Sequence, residues 1–277
     1  MKKKIYRKIV HDTFAWIIGL IWIIPFVGLL MTGIRPMDEL LHGWWNLKVL
    51  HLTFRNFIQA WHHPSVPLSQ GTMNSLIVAV PATVIPILIA TMAGYGFSRY
   101  RFPMRNSLFI LIVLMLALPQ QMIAVPIFNI MNKLRLLDNY LGLIIVHTAW
   151  GLPWITFFMR NFFTTLPVEV EEAARMDGAS DVRTFFSIAL PIAIPAIVSA
   201  AALQFTWVWS DFFLALILMY SPNKLLATQR IPLMRGVYFV NWGLLAAAAI
   251  LLMLVPILVY TLLQKHYVKG MVGWSSK

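Results

Sequence analysis

The chain offers few groups able to do chemistry. Its 277 residues include ten Asp and Glu, seven His and no Cys, so disulfide and thiol chemistry are excluded. Asp211 stands in a strongly apolar stretch with Trp207, Trp209 and Ser210. A carboxylate inside a membrane is costly and usually faces a cavity or a partner, whereas one at the outer rim needs only a structural hydrogen bond. Gln204 sits seven residues earlier in the same stretch, where an amide serves a bond between helices. His147 is alone on an apolar run and reads as a packed core histidine. His42, His51, His62 and His63 match no common metal spacing, and neither Cys nor clustered carboxylates complete a site. No Ser/His or His/Glu cluster shares a depth, which argues against an intramembrane enzyme. There is no G-x-x-x-x-G-K-[ST] phosphate loop.

A second concentration of polar groups runs Thr165-Leu-Pro-Val-Glu-Val-Glu-Glu-Ala-Ala-Arg-Met-Asp-Gly178. Thr165 is placed to cap a helix whose first turn takes Pro167. Glu169, Glu171 and Glu172 would lie at the positive end of its dipole and Arg175 near the negative end. Gly178 is a natural stop. A helix of about ten residues is marginal alone in water, so it needs a partner surface, and Ala173 and Ala174 give it a narrow face. A second helix restarts near Ser180, and Phe185, Phe186 and Ile188 lead into an apolar span at Leu190-Pro191. On the residues alone, packing on its own bundle is the ordinary account of such a helix.

The elements that must position these groups lie in lipid. Hydrophobic residues are 60% of the chain and charged residues 12%, against about 45–50% and about 25% in soluble domains. Apolar runs of the length needed to cross hydrocarbon occur at Phe14–Ile34, Asn74–Phe97, Ser107–Met131, Leu141–Phe162, Leu190–Leu218 and Gly243–Gln264. Unpaired backbone cannot face lipid, so all are read as helices: an all-α membrane protein with six transmembrane helices. The fifth run is over-long and is expected to tilt, or to break near Asp211. The first run is too long for a signal-peptide core, and no small-residue cleavage site follows it.

Charge placement sets the topology. Fourteen of the 22 Lys and Arg fall on the face shared by the N-terminus, the Ser98–Asn106 and Arg160–Ala189 loops and the tail. Lys2, Lys3, Lys4, Arg7 and Lys8 precede the first span, so both termini are expected in the cytoplasm. The net charge of +12 is thus topogenic, and no basic stripe interleaved with aromatics points to nucleic acid. Trp44, Trp45 and Trp61 of the long outer loop suit the interface. Prolines recur within the spans, among them Pro81, Pro86, Pro119, Pro153, Pro195 and Pro256. Each frees a backbone carbonyl that a neighbour must satisfy, and they suit helices that slide as well as membrane helices in general. Three regions follow: residues 1–73 (N-terminal segment, first span, outer loop), 74–264 (core with five spans and the 160–189 loop) and a tail, 265–277.

Glu172-Ala173-Ala174-x-x-Asp177-Gly178-Ala179, followed by Phe185, Ile188, Leu190 and Pro191, resembles the EAA loop of ABC importer permeases. The likeness continues through Asn74-Ser75-Leu76, Ala93-Gly94-Tyr95-Gly96-Phe97-Ser98-Arg99, Leu118-Pro119-Gln120-Gln121 and Leu136-Leu137-Asp138-Asn139-Tyr140-Leu141-Gly142. Trp209-Ser210-Asp211-Phe212 is similar to the family's Trp-Asn-Asp-Phe, with Ser for Asn. The tail from Gln264 through Gly270 also resembles the family's, but its end, Gly-Trp-Ser-Ser-Lys, departs from it. These motifs cover nearly the whole chain and are most similar to the second permease of maltose-type importers.

The resemblance implies a type I (MetI-like) importer permease in a bacterial cytoplasmic membrane, carrying a sugar. Glu172, Ala173, Ala174, Asp177, Gly178 and Ala179 would dock on the ATPase. The implied partners are a second permease, two ATP-binding subunits that hold ATP and Mg, and an extracytoplasmic binding protein. No catalytic residue, cofactor or metal is assigned to this chain. Uncharged sugars are held by hydrogen bonds and aromatic stacking, so the substrate-pathway candidates are Gln120, Gln121, Gln204, Trp207, Ser210 and Asp211, with Asn129 and His147 behind them. In maltose-type importers the partner permease supplies most sugar contacts. Polyols and glycerol phosphate esters are carried by similar permeases, but a dianion would want Lys or Arg at mid-depth and no span has one. A lone ion-coupled carrier would need buried charges, of which only Asp211 is available.

Overall fold

The computed structural model describes residues 2–48, 50–236 and 238–272. Among them every regular element is helical: α1 (Lys2–Gly33), α2 (Met37–Leu40), α3 (Arg55–Trp61), α4 (Leu68–Arg99), α5 (Arg105–Met115), α6 (Ala124–Lys133), α7 (Tyr140–Thr165), α8 (Glu169–Met176), α9 (Asp181–Thr184), α10 (Leu190–Ser210), α11 (Phe213–Leu218), α12 (Ala227–Leu233) and α13 (Trp242–Val272). The tail motif from Gln264 continues α13 to Val272, and its divergent end, residues 273–277, lies outside the described residues.

Five segments are long and apolar enough to span a membrane: Val10–Gly33, Leu68–Arg99, Tyr140–Thr165, Asp181–Ser210 and Trp242–Gln264. The run expected as a third span, Ser107–Met131, is not one helix. Arg105–Met115 and Gln120–Lys133 meet at 98°. Pro119 lies in the break with extended backbone, φ −68° and ψ 136°, and a tight 3₁₀ turn, Gln120–Ile123, follows. Proline has no amide hydrogen and drives the residue before it out of helical conformation, so the chain turns here instead of bending. The count is six if this bent pair is one span. The fifth run breaks at Asp211, whose backbone is extended, and α11 then restarts.

The chain divides into two compact units, Met1–Gln70 with Arg230–Leu254, and Gly71–Gln229 with Val255–Lys277. The first is organised around buried Arg35. Its guanidinium donates from Nε and Nη2 to Glu39 at 3.1 and 2.9 Å, and from Nη1 to the Trp44 carbonyl. Asn56 Nδ2 donates to the Gly33 and Arg35 carbonyls, both at 2.9 Å, covering the exposed end of α1.

The second unit holds the larger share of the motifs. Ala193, Ala196 and Ala200 form a small-residue stripe on α10 that is buried with Ile155, Met159 and Phe163 of α7. Without a hydrophobic force between helices in lipid, such stripes allow the close backbone approach that holds a bundle. Gly94 brings α4 equally near: a Cβ there would sit 2.8 Å from the Arg160 backbone nitrogen.

The motif from Leu136 to Gly142 proves to be a turn followed by the start of α7. Arg135 and Asp138 adopt left-handed φ of 57° and 52°, and Leu136 N–H returns to the Met131 carbonyl. Asn139 caps α7 by accepting from Leu141 N–H at 3.0 Å. Asp138 accepts from the backbone N–H groups of Tyr220 and Ser221, from the Ser221 hydroxyl and from Lys224 Nζ. It thereby ties this turn to the segment after α11.

Burial alone would raise the Asp138 pKa, but the bonds from Ser221, Tyr220 and Lys224 hold its carboxyl down at about 2. A carboxyl depressed in the folded state contributes stability above its unfolded pKa and loses it as pH falls through the folded value. Asp138→Asn keeps the left-handed backbone and removes the charge. It is expected to cost about 1–3 kcal/mol at neutral pH, read as a lower Tm in detergent, with the difference from wild type shrinking as pH falls from about 4 to about 2.

Candidate functional site

Two constellations emerge within the second unit. The first is the loop helix α8. Thr165 does not cap it: Thr165 ends α7, its hydroxyl donates to the Phe162 carbonyl at 2.7 Å, and α8 starts after Val168 with no side-chain cap. Pro167 explains the shift, because Leu166 before it is held extended at ψ 135°, out of helical conformation. The C-terminal end follows expectation. Gly178 takes φ 85°, its N–H reaches the Arg175 carbonyl and Ala179 N–H reaches that of Ala174, both at 3.0 Å. This paired closure is the Schellman arrangement. Ser180 then caps α9 through Arg183 N–H, and a π-turn, Phe185–Ala189, joins α9 to α10 without a loop.

Glu172, Ala173, Asp177 and Gly178 are exposed, while Ala174 and Ala179 are half-buried. Met176, at 88% exposure, extends this bare face. The anchoring residue is one that the sequence did not single out. Glu171, 2% exposed, accepts from Tyr95 Oη and Arg99 Nε, each at 2.9 Å, and Arg99 Nη2 donates to the Leu166 carbonyl at 3.1 Å. Both partners lie on the last turns of α4, so α8 is clamped to one span while running on into another. The signal available was Tyr95 and Arg99, spaced i, i+4 on one helix face within a quoted motif.

The second constellation is a cavity of about 380 Å³, within the size range of small-molecule sites. Five of the six substrate-pathway candidates line it: Gln120, Gln204, Trp207, Ser210 and Asp211. His147, Trp150 and Gly151 of α7 complete the polar side, and among the lining residues there is no Lys or Arg. Gln121 and Asn129 are exposed and do not line it.

The α10 break places Asp211 in the wall. Its Oδ2 accepts from Leu214 and Ala215 N–H at 3.0 and 3.2 Å, starting α11, so this carboxylate both makes structural hydrogen bonds and lines the cavity. Gln204 likewise does both. Its Nε2 donates to the Ala82 carbonyl at 3.0 Å, and its Oε1 accepts from Trp154 Nε1 at 2.9 Å. Ala82 is four residues before Pro86, whose ring supplies no hydrogen to that carbonyl. Trp154 also packs edge-on against Trp207 at 5.7 Å. No group of three or more His, Cys, Asp or Glu able to hold a metal occurs among the described residues.

Residues 72–273 match the family described as binding-protein-dependent transport system inner membrane component. A probable ABC transporter permease protein of Pyrococcus horikoshii is 55% identical over 272 residues, 98% of this chain and 99% of that one. The alpha-glucoside transport system permease protein of Rhizobium meliloti is 38% identical over 216 residues, 76% of this chain and 57% of that one. Among solved structures, a chain of a bacterial ABC transporter involved in import of the acidic polysaccharide alginate superposes with a TM-score of 0.81. It is 22% identical, and the match covers 94% of this chain and 96% of that one.

Replacing Gln204 by Leu leaves the Ala82 carbonyl and the Trp154 indole N–H unpaired in an apolar surround. The expected loss is about 1–3 kcal/mol, measured as a drop in Tm of the detergent-solubilised protein. A Tm equal to wild type would mean that water or a neighbour replaces the amide.

Proposed function

Since the chain belongs to the family of binding-protein-dependent transport system inner membrane components, we propose that it carries a neutral sugar through the cytoplasmic membrane, driven by a partner ATPase. It is a membrane permease subunit of an ABC importer and not itself an enzyme. The observation that carries the coupling part of the reading is the loop helix: its Glu172–Gly178 face is bare while Glu171 is buried in a clamp to α4.

In this reading a binding protein delivers the sugar to a heterodimer of this chain and a second permease. Both termini are cytoplasmic, and the bent pair Arg105–Met115 and Gln120–Lys133 counts as the third of six spans. Two ATP-binding subunits, holding ATP and Mg, close and push α8 of each permease. The push reaches α10 through the α9 turn and α4 through Glu171, Arg99 and Tyr95. One cavity wall belongs to α10, which moves against the α7 wall, so the cavity turns from one side of the membrane to the other, and hydrolysis resets it.

A neutral sugar is favoured by the wall itself. It offers amide, hydroxyl, imidazole and indole groups, one carboxylate, and no cation to meet a phosphate ester or other anion. The alpha-glucoside system named for the Rhizobium meliloti relative points the same way. Polyols fit the same wall.

Glu172→Lys reverses a charge on the bare face, and Gly178→Pro is incompatible with φ 85°. In the reconstituted complex each is expected to lower binding-protein-stimulated ATP hydrolysis and uptake together, by roughly tenfold for every 1.4 kcal/mol of coupling lost. Wild-type stimulation and uptake in both variants would overturn the assignment of this loop. Arg99→Ala, which strands Glu171 as a buried charge, is expected to cost about 3–5 kcal/mol of stability, measured by thermal unfolding.

A further inference from the structure

One polar atom in the cavity wall is satisfied by nothing in the fold. His147 is 5% exposed and lines the cavity, yet its Nε2 has no hydrogen-bond partner. Buried polar atoms are almost always paired, so an orphan in a ligand-sized cavity marks where a ligand atom belongs. Asp211 Oδ2 faces it at 3.8 Å, beyond hydrogen-bond length. Neither group is free to close the gap. His147 is fixed on α7, and Asp211 is held by the Leu214 and Ala215 N–H groups.

The pair calls for one oxygen that both donates and accepts. A hydroxyl oxygen about 2.8 Å from each atom would bridge them at ordinary hydrogen-bond distances, giving its hydrogen to the Asp211 carboxylate and taking one from His147 Nε2. Around this point Trp207, 62% exposed on the cavity side of α10, offers an aromatic face, and Gln120 and Ser210 add polar groups. We infer that His147 and Asp211 form a clasp for one hydroxyl of a neutral sugar, so that this subunit carries a recognition subsite of its own. The inference rests on the sugar-import reading and adds to it a residue outside the family motifs. A metal is a poor occupant, since only two ligating side chains converge.

The test uses the complete complex with its binding protein in proteoliposomes, supplied with a panel of radiolabelled neutral mono- and disaccharides and their monodeoxy analogues. His147→Phe keeps an apolar ring of similar size, and His147→Gln keeps a hydrogen-bonding group. In wild type, removal of one particular sugar hydroxyl is expected to raise KM for uptake roughly tenfold. His147→Phe is expected to raise KM for the parent sugar by a similar factor and to treat parent and analogue alike, with His147→Gln between.

Selectivity of the binding protein cancels in this comparison, because the same protein delivers to every variant. Co-purification of all subunits checks assembly, and His147→Gln carries the measurement if His147→Phe does not assemble. Should His147→Phe keep both the wild-type KM and the wild-type preference for every parent sugar, the gap holds water and the clasp is wrong. Should the wild-type complex import another solute and none of the sugars, the sugar reading fails and the clasp with it.

Discussion

In hydrocarbon a freed backbone carbonyl has no water to turn to, and the second unit is arranged around meeting that constraint at Pro86. The carbonyl of Ala82 is met by Gln204 from α10, and the same amide accepts from Trp154 of α7. One side chain thus joins three spans. Gly151 makes room for it, since a Cβ there would lie 2.6 Å from Gln204 Nε2. Because an amide rather than a methyl group fills this position, the adjoining cavity acquires a polar wall. The need to satisfy one backbone oxygen and the polarity of the cavity wall are therefore the same fact about Gln204.

The Glu171 clamp does for the end of α4 what Gln204 does at its middle. A buried ion pair adds little net stability, because desolvation offsets its attraction. Its consequence is a fixed geometry: Arg99 also holds the Leu166 carbonyl, so the entry to α8 and the helix itself are pinned to one turn of α4. The bare face of α8 is then presented by a rigid mount and not by a floppy loop, although the helix itself is short and of marginal intrinsic stability.

Several of these features were legible in the sequence, and the exceptions have physical causes. Apolar run length located the spans, and Gly178 and Ser180 located the ends of the loop helices, because hydropathy and capping are local. The break at Asp211 was visible as a run too long for the bilayer. Thr165 misled because its capping ability is local, while the restraint of Pro167 on Leu166 acts first. Pro119 read as lying within a continuous span, since whether a proline is absorbed by a helix or breaks it depends on what packs against it. Glu171 was indistinguishable from Glu169 and Glu172, as its partner Arg99 is 72 residues away. Gln120 and Gln121 looked alike, yet adjacent residues on a helical turn point apart, and only one reaches the cavity.

The π-turn at Phe185–Ala189 gives the step from α9 to α10 a particular mechanical character. It holds an extra residue in one turn, two residues before Pro191, which removes a donor that a regular helix would need there. Were that residue absorbed into regular winding, everything downstream would rotate by about 100° and shift by about 1.5 Å along the axis. Trp207 and Ser210 lie downstream, on the cavity wall. The joint thus holds in reserve the one residue whose winding sets which side chains of α10 look inward.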